Sequence, residues 1–462
     1  MNAHTRAPDQ VVIISDYSRV RGGASKLALL LAETLRRRDI RVTVFSGDLA
    51  EGDATRPRAD GISLRGLSGA SLLEQRRFLA VLGGIWNAQA AKSLAALIEQ
   101  NDTPRTIYHV HGFLQTLSPA VFQALHRVRE RVVIHAHDYF LACPNGAFFD
   151  YRSGAECDRV PLSAACTMRN CDKRSAAHKA WRLVRQAVQN RLTRDFLRDS
   201  RIILIHEDMQ RYLERGARPL ARPSVIRNPA QAFMRDRARP EAQSGFLFVG
   251  DIHAYKGVFV LAEAARKAGV PICFAGEGVE RAQLQQVYPE FRFAGWQDRT
   301  GLMRLAAEAR ALVVPSLGPE PFGLTLVEAI ACGLPVVVSD KALLSSEVEA
   351  AGAGLAFRAG DSDHLAEQLA RLAHDDALIR RMSGHALEAK GRFAQTEEDW
   401  CARILQLYQD MLADRDGTGN PKMDARQACH QHCNQKDDHV MFACEPMCPV
   451  LGNLRRVYCR GA

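Results

Sequence analysis

Short apolar runs separated by longer amphipathic stretches set the rhythm of the chain. VVIIS at 11–15 has the length of a buried strand. In the segment after it, SRVRGGASKLALLLAETLRRR, Leu27, Leu30, Leu31 and Leu35 share one helical face. Arginines close that segment, where a helix dipole favours cations. RVTVFS (41–46), TIYHV (106–110), RVVIH (131–135), RIILI (201–205) and PSVIRN (223–228) continue the strand series. Strands alternating with helices predict a parallel sheet covered on both faces. Residues 229–245, PAQAFMRDRARPEAQSG, are polar and loosely patterned, and read as a linker. The alternation then restarts: GFLFVG, a helix from Lys256 to Lys267, PICFAG, FRFAG, ALVVPS and LPVVVS, with helices between them. Helices run on to about Ala413, and DRDGTGNPK breaks the pattern.

The expected fold class is therefore α/β, with two doubly wound Rossmann-like domains facing a central cleft and a Cys-rich C-terminal tail. The expected boundaries are an N-terminal domain at 1–230, a second domain at 246–395, a closing helix at 396–414 and a tail module at 421–462. Ligands of open α/β sheets bind beyond the carboxyl ends of the strands, so the cleft is the place to look for chemistry.

A length of 462 residues is too much for one ordinary core. The net charge of +9 suggests an anionic partner, such as nucleic acid, a membrane surface or a phosphorylated metabolite, or else ordinary Arg-rich solubility. No run is long and apolar enough to span a bilayer, and the N-terminus lacks the apolar core of a signal peptide. The expectation is a cytoplasmic protein with reduced cysteines. There is no G-x-x-x-x-G-K-[ST] and no G-x-G-x-x-G after a strand, which argues against a P-loop enzyme and a standard dinucleotide-binding dehydrogenase.

GPEPFGLTLVEAIACGLPVVVSD (318–340) places Glu320 and Glu328 inside a very apolar stretch. Burying an ionised carboxylate is costly unless something pairs with it. A helix starting near Gly323 would lack a strong polar cap and leave its first N–H groups to an anion. Two carboxylates beside such a site suit the hydroxyls of a ribose and a sugar. Otherwise Glu328 forms a buried pair with an arginine and Glu320 is loop surface. Lys256, just past a strand of the same domain, tips the balance towards a diphosphate site.

With these pieces in place, the segment from Phe246 to about Asp340 resembles the donor domain of glycosyltransferase family 4, the retaining GT-B enzymes. The matching pieces are FVG…KG, FAGEG, FAGW and the E-(x)7-E passage, joined in the first half by GGA, HVHG, HAHDYF and RNP. The resemblance covers roughly residues 11–413. It implies transfer of a sugar from a nucleoside diphosphate sugar to a polysaccharide or lipid-linked acceptor, with retained configuration and no metal cofactor required for catalysis. It implies that Glu320 contacts the transferred sugar, Glu328 the ribose, and Lys256 the diphosphate leaving group. Phe322, Gly323 and Leu324 would offer backbone N–H groups, Gly22 and Gly23 a close approach to the donor, and His137 a place beside the acceptor. Many members carry Arg just after the Gly of FVG, where this chain has Asp251; His253 or a distant arginine would have to replace it. A nucleotide-sugar epimerase, a phosphorylase or a non-catalytic sugar-nucleotide-binding scaffold are the competing readings. No nucleic-acid partner is expected.

Of the twelve cysteines, Cys143, Cys157, Cys166 and Cys171 lie in a loop at 141–172, as a structural zinc site or as free thiols. Cys429, Cys433, Cys444, Cys448 and Cys459 of the tail are spaced C-(x)3-C-(x)10-C-(x)3-C-(x)10-C; the first four suit a metal clasp, with His430 or His432 as alternative ligands, or, in an oxidising compartment, disulfides. The basic helix at 173–199 carries Trp181, Val184, Val188, Leu192 and Phe196 on one face. That face would pack on the sheet, or rest on an anionic membrane as a peripheral contact on its inner side.

Overall fold

A computed structural model describes residues 7–49, 61–67, 77–216 and 219–416. The strands in chain order are β1 (Gln10–Ile14), β2 (Arg41–Ser46), β3 (Ser63–Gly66), β4 (Thr106–Val110), β5 (Val132–Ala136), β6 (Phe149–Asp150), β7 (Ala155–Glu156), β8 (Arg201–Leu204) and β9 (Pro223–Val225). They continue with β10 (Gly245–Val249), β11 (Ile272–Ala275), β12 (Arg292–Gly295), β13 (Ala309–Val314), β14 (Val336–Ser339) and β15 (Gly354–Phe357). One parallel sheet has the order β3-β2-β1-β4-β5-β8-β9, and a second has β12-β11-β10-β13-β14-β15. The small β6–β7 hairpin is antiparallel.

In both sheets the order reverses beside the first strand, between β1 and β4 and between β10 and β13. These switch points are where such sheets open a crevice. Val11 to Ile14 of β1 are at most 1% exposed, as expected of a central strand covered on both faces. Burying each such side chain is worth about 1.5–3 kcal/mol. The expected strands are all present. β3, β15 and the hairpin were not expected.

The segment 229–245 runs from β9 of the first sheet to β10 of the second and is held against the second half: Phe233 is buried, and its N–H donates to the Glu328 carbonyl (3.3 Å), as the Ala238 N–H does to that of Cys332 (2.8 Å). The basic helix, Ala176–Asp199, does not pack through the anticipated apolar stripe. Of the five residues only Phe196 is fully buried, and Val184 is 52% exposed. The buried face includes Lys179, Gln186, Gln189 and Thr193, because it must serve the backbone of the adjoining loop. Gln189 Nε2 donates to the Phe140 carbonyl at 2.7 Å, and Gln186 Nε2 to that of Leu141 at 3.4 Å.

The last helix, Glu397–Arg415, crosses back to the first sheet. Thr396 caps it by accepting the Asp399 N–H at 3.0 Å, and Glu397, Glu398 and Asp399 suit the positive end of its dipole. Trp400, Ile404, Tyr408, Met411 and Leu412 join the core cluster of β1 and the helix Gly23–Arg36. Among the described residues no helix is long and apolar enough to cross a membrane.

Candidate active site

The carboxyl ends of β10 and β13 bring Lys256 and Glu320 together. Lys256 ends a single 3-10 turn after β10. Gly257 follows it at φ 75°, and a Cβ there would stand 1.8 Å from the Pro315 carbonyl oxygen. Only glycine lets this turn press against the end of β13. The Leu317 N–H donates to the Tyr255 carbonyl at 3.0 Å and ties the two loops together. Glu320 is fixed from the other side, its carbonyl accepting the Leu343 N–H at 3.1 Å. Lys256 Nζ then donates to Glu320 Oε2 at 2.5 Å, and Ser316 Oγ donates to the same oxygen at 3.1 Å. Burial pushes the Glu320 carboxyl up, but the Lys256 charge and these hydrogen bonds bring it below its ordinary range. Burial likewise works against the Lys256 ammonium, and Glu320 more than restores it.

Next to Glu320 the helix Leu324–Ala331 begins at Gly323, at φ 67° and with no side-chain cap. Its first amide groups therefore have no partner within the helix. Across the cleft, the helix Gly23–Arg36 starts at Gly22, and Ser25 Oγ accepts the N–H groups of Arg21 (2.8 Å) and Gly22 (3.1 Å). A Cβ on Gly23 would lie 3.5 Å from Leu324 Cδ1, so the two helix starts face each other at close range. Glu328 neither escapes to water nor forms the anticipated arginine contact. Lys26 reaches it from the first domain, Nζ to Oε1 at 3.6 Å. Burial raises the Glu328 carboxyl pKa, against the pull of Lys26 and Arg299.

A cavity of about 1220 Å³ is lined by Lys256, Ser316, Glu320 and His137, together with Tyr255, Asp138 and part of the basic helix. A second, of about 250 Å³, is lined by Gly22, Gly23, Asp16, Arg21, His111 and His137. Glu328, Phe322, Gly323 and Leu324 line neither of these. His253 is engaged by Glu280, Nδ1 to Oε2 at 2.9 Å, and Asp251 is exposed.

His137 belongs to a ladder. His109 and His111 alternate along and just past β4, and His135 and His137 along and just past β5. His111 Nδ1 and His137 Nε2 share a proton at 2.9 Å, and His109 Nδ1 meets Tyr408 Oη at 2.5 Å. Burial pushes His109 and His137 down to about 3, and His111 and His135 well down as well, so all four rings are neutral near pH 7. Nitrogens of His109, His111 and His135 lie within 4.8 Å of one another. The three rings are inclined to one another by 34°, 10° and 39°.

The loop thiols Cys143, Cys157, Cys166 and Cys171 are buried and free. Lys179 Nζ lies 3.2 Å from Cys171 Sγ and 3.5 Å from Cys166 Sγ. The side-chain groupings with metal-compatible spacing among the described residues contain no cysteine. Cys429, Cys433, Cys444 and Cys448 lie outside the described residues.

Sequence reasoning missed Lys26 and Arg185. Lys26 follows Gly22 and Gly23 by one helical turn, which could have marked it as facing the same cleft. Arg185 is one of many basic residues in the helix at 173–199, and nothing in that run singles it out.

The chain matches the sequence profile of glycosyl transferases group 1 over residues 230–388 and that of Glycosyltransferase Family 4 over residues 21–231. It is 29% identical over 309 residues to a glycogen synthase of Mycobacterium tuberculosis, covering 63% of this chain and 70% of that one. It is 33% identical over 167 residues to a phosphatidyl-myo-inositol mannosyltransferase of Mycobacterium leprae, covering 33% of this chain and 43% of that one. The fold resembles sucrose-phosphate synthase from Thermosynechococcus elongatus, with a TM-score of 0.65 at 19% identity over 88% of this chain and all of that one (100%). It also resembles Anabaena Alr3699/HepE in complex with UDP-glucose, with a TM-score of 0.60 at 16% identity over 86% and 99% of the two chains. With both halves of the molecule matched and its two sheets facing one cleft, the chain belongs to the family 4 glycosyltransferases of GT-B fold.

Proposed function

We propose that this protein transfers a sugar from a nucleoside diphosphate sugar to a glycan or lipid-linked acceptor, with retention of anomeric configuration. The observation that carries the reading is the Lys256–Glu320 pair, set in a large cavity beside the uncapped start of the helix Leu324–Ala331. The ammonium and the helix start supply positive charge where a departing diphosphate gathers negative charge. Glu320 orients Lys256 and accepts hydrogen bonds from hydroxyls of the sugar. Glu328 exchanges its contact with Lys26 for the ribose hydroxyls. His137, neutral and held by His111, borders both cavities where donor sugar and acceptor meet. The leaving phosphate oxygen takes the acceptor proton on the face it departs from, which gives retention without a second carboxylate. The mannosyltransferase and glycogen synthase relatives and the UDP-glucose complex of the Anabaena neighbour support a nucleotide-sugar donor. The basic helix, with Val184 exposed among arginines, supports work at the inner membrane face.

The test is calorimetric titration of a panel of nucleoside diphosphate sugars into wild type and Glu328→Ala. One donor is expected to bind in the micromolar range and to weaken at least tenfold in the variant. A folded wild type that binds none of them, with or without acceptor glycans, would remove the transferase reading.

A further inference from the structure

The same cavity extends away from the Lys256–Glu320 pair to a wall that the transfer chemistry does not use. That wall is the first half of the basic helix and the turn before it. Lys173, Arg174, Arg182 and Arg185 all line the cavity, with Trp181 and Phe140 among them. Arg182 is committed to Asp172, Nε to Oδ2 at 2.7 Å. Among the described residues no ion pair engages Lys173, Arg174 or Arg185.

Arg185 is the most telling of the three. It is only 5% exposed, and its Nη2 is buried without a hydrogen-bond partner. Its guanidinium carbon sits 4.8 Å from the Trp181 ring centre and 5.5 Å from that of Phe140, which fixes it in place without satisfying its donors. A buried cation with an orphan donor is costly unless something anionic completes it. The carboxylates that face it do not do so. Asp16 spends its oxygens on the N–H groups of Leu114, Gln115, Thr116 and Leu117. Asp138 accepts the Phe140 N–H at 2.9 Å, and enclosure by the surrounding protein pushes its carboxyl up to about 6. Lys173, exposed at the rim, shows the same excess of positive charge: desolvation by the cavity wall and then Arg174 and Arg182 push its ammonium down. With Arg182 matched to Asp172 and Lys256 matched to Glu320, three cations remain against Asp138.

We propose that the acceptor half of this cavity binds a phosphate ester, held by Arg185 and met at the rim by Lys173 and Arg174, so that the acceptor is a phosphorylated molecule. A phosphate matches this excess better than a single carboxylate, and a guanidinium presents it with a planar fork of donors. The inference rests on the transferase reading only for the role of acceptor. The anion site stands on its own geometry.

The experiment titrates octyl phosphate, glucose 6-phosphate and, as the neutral control, octyl glucoside into the full chain by calorimetry. The proteins are wild type, Arg185→Met and the exposed pair Lys173→Gln/Arg174→Gln. At least one phosphate ester is expected to bind wild type, at least tenfold more weakly to Arg185→Met and severalfold more weakly to the double variant, while octyl glucoside binds all three alike. Preference for octyl phosphate would identify a lipid-borne phosphate, and preference for glucose 6-phosphate a sugar-borne one. If Arg185→Met does not fold, the double variant decides, because both its side chains are exposed. Equal phosphate-ester binding by wild type and the folded variants, or no binding at all, overturns the proposal. Since no donor or turnover is involved, a protein that binds octyl phosphate through Arg185 but no nucleotide sugar would refute the transferase reading and leave the anion site standing.

Discussion

Glu320 and Lys256 neutralise each other in a cavity that water reaches, and removing either strands the other. Glu320→Gln keeps the shape and removes the charge. It is expected to lower turnover about 100-fold or more, the scale of losing one charged group at a developing charge. Circular dichroism should show the fold retained, and a variant with near wild-type turnover would assign the pair a purely structural role. Much of this was legible in the sequence. Glu320, Glu328 and Lys256 sit in short motifs whose neighbours, such as Gly257 and Gly323, are demanded by local backbone geometry. Lys26 and Arg185 were less legible, because their partners, or the lack of one, are set across the cleft and across the cavity. The one-turn spacing from Gly22 and Gly23 points Lys26 at the cleft but does not name Glu328, and a basic run does not say that Arg185 is left unpaired.

Among the elements, the strands were the easiest to read, since a buried parallel strand is a continuous apolar run. The short edge strand β3, SLRG, has no such signature, and neither has the two-residue hairpin. The basic helix misled for a physical reason. Apolar periodicity identifies the buried face only where the neighbour is apolar. Here the neighbour is a loop whose carbonyls need donors, and the helix turns Gln186, Gln189 and Lys179 towards it. Gln189→Leu should therefore destabilise the protein by about 1–3 kcal/mol despite adding apolar surface, by leaving the Phe140 carbonyl unsatisfied. Urea unfolding reads this directly, and an unchanged or raised midpoint would contradict the role assigned to that face.

On the scale of the whole molecule, the two halves are latched by charge. Arg227 donates from both Nη atoms to Glu347 at 2.7 Å and from Nη2 to Glu207 at 2.9 Å, while His206 Nε2 meets Glu347 at 3.0 Å. Arg227 thus occupies the centre of the carboxylate–histidine group that would otherwise suit a cation. Burial raises the Glu347 carboxyl, but the bonds from His206 and Arg227 win and hold it at about 2, against 4.5 ordinarily. The folded state therefore binds fewer protons than the unfolded one across this interval. The latch contributes fully above about pH 4.5 and is lost as the pH falls towards 2. Roughly 2–3 kcal/mol should disappear over that range. Comparing urea midpoints of wild type and Glu347→Gln from pH 7 down to pH 3 tests this. The gap should close with acidification, and a gap constant with pH would rule the latch out.

The helix Glu397–Arg415 returns to the first sheet after the whole second sheet has been completed, and its Tyr408 closes on His109 across 299 residues of chain. The two passages between the halves run side by side, with Pro229 bridging to Gln395 and Arg227 donating to the Arg392 carbonyl. During synthesis, β1 and its neighbours leave the ribosome long before Trp400 and Tyr408 exist to cover them. At about 5–20 residues per second that face waits on the order of tens of seconds in an apolar, unfinished state. The N-terminal half of this enzyme is thus a natural client for holding chaperones, and a chain truncated before Trp400 should aggregate and not persist as a free-standing domain.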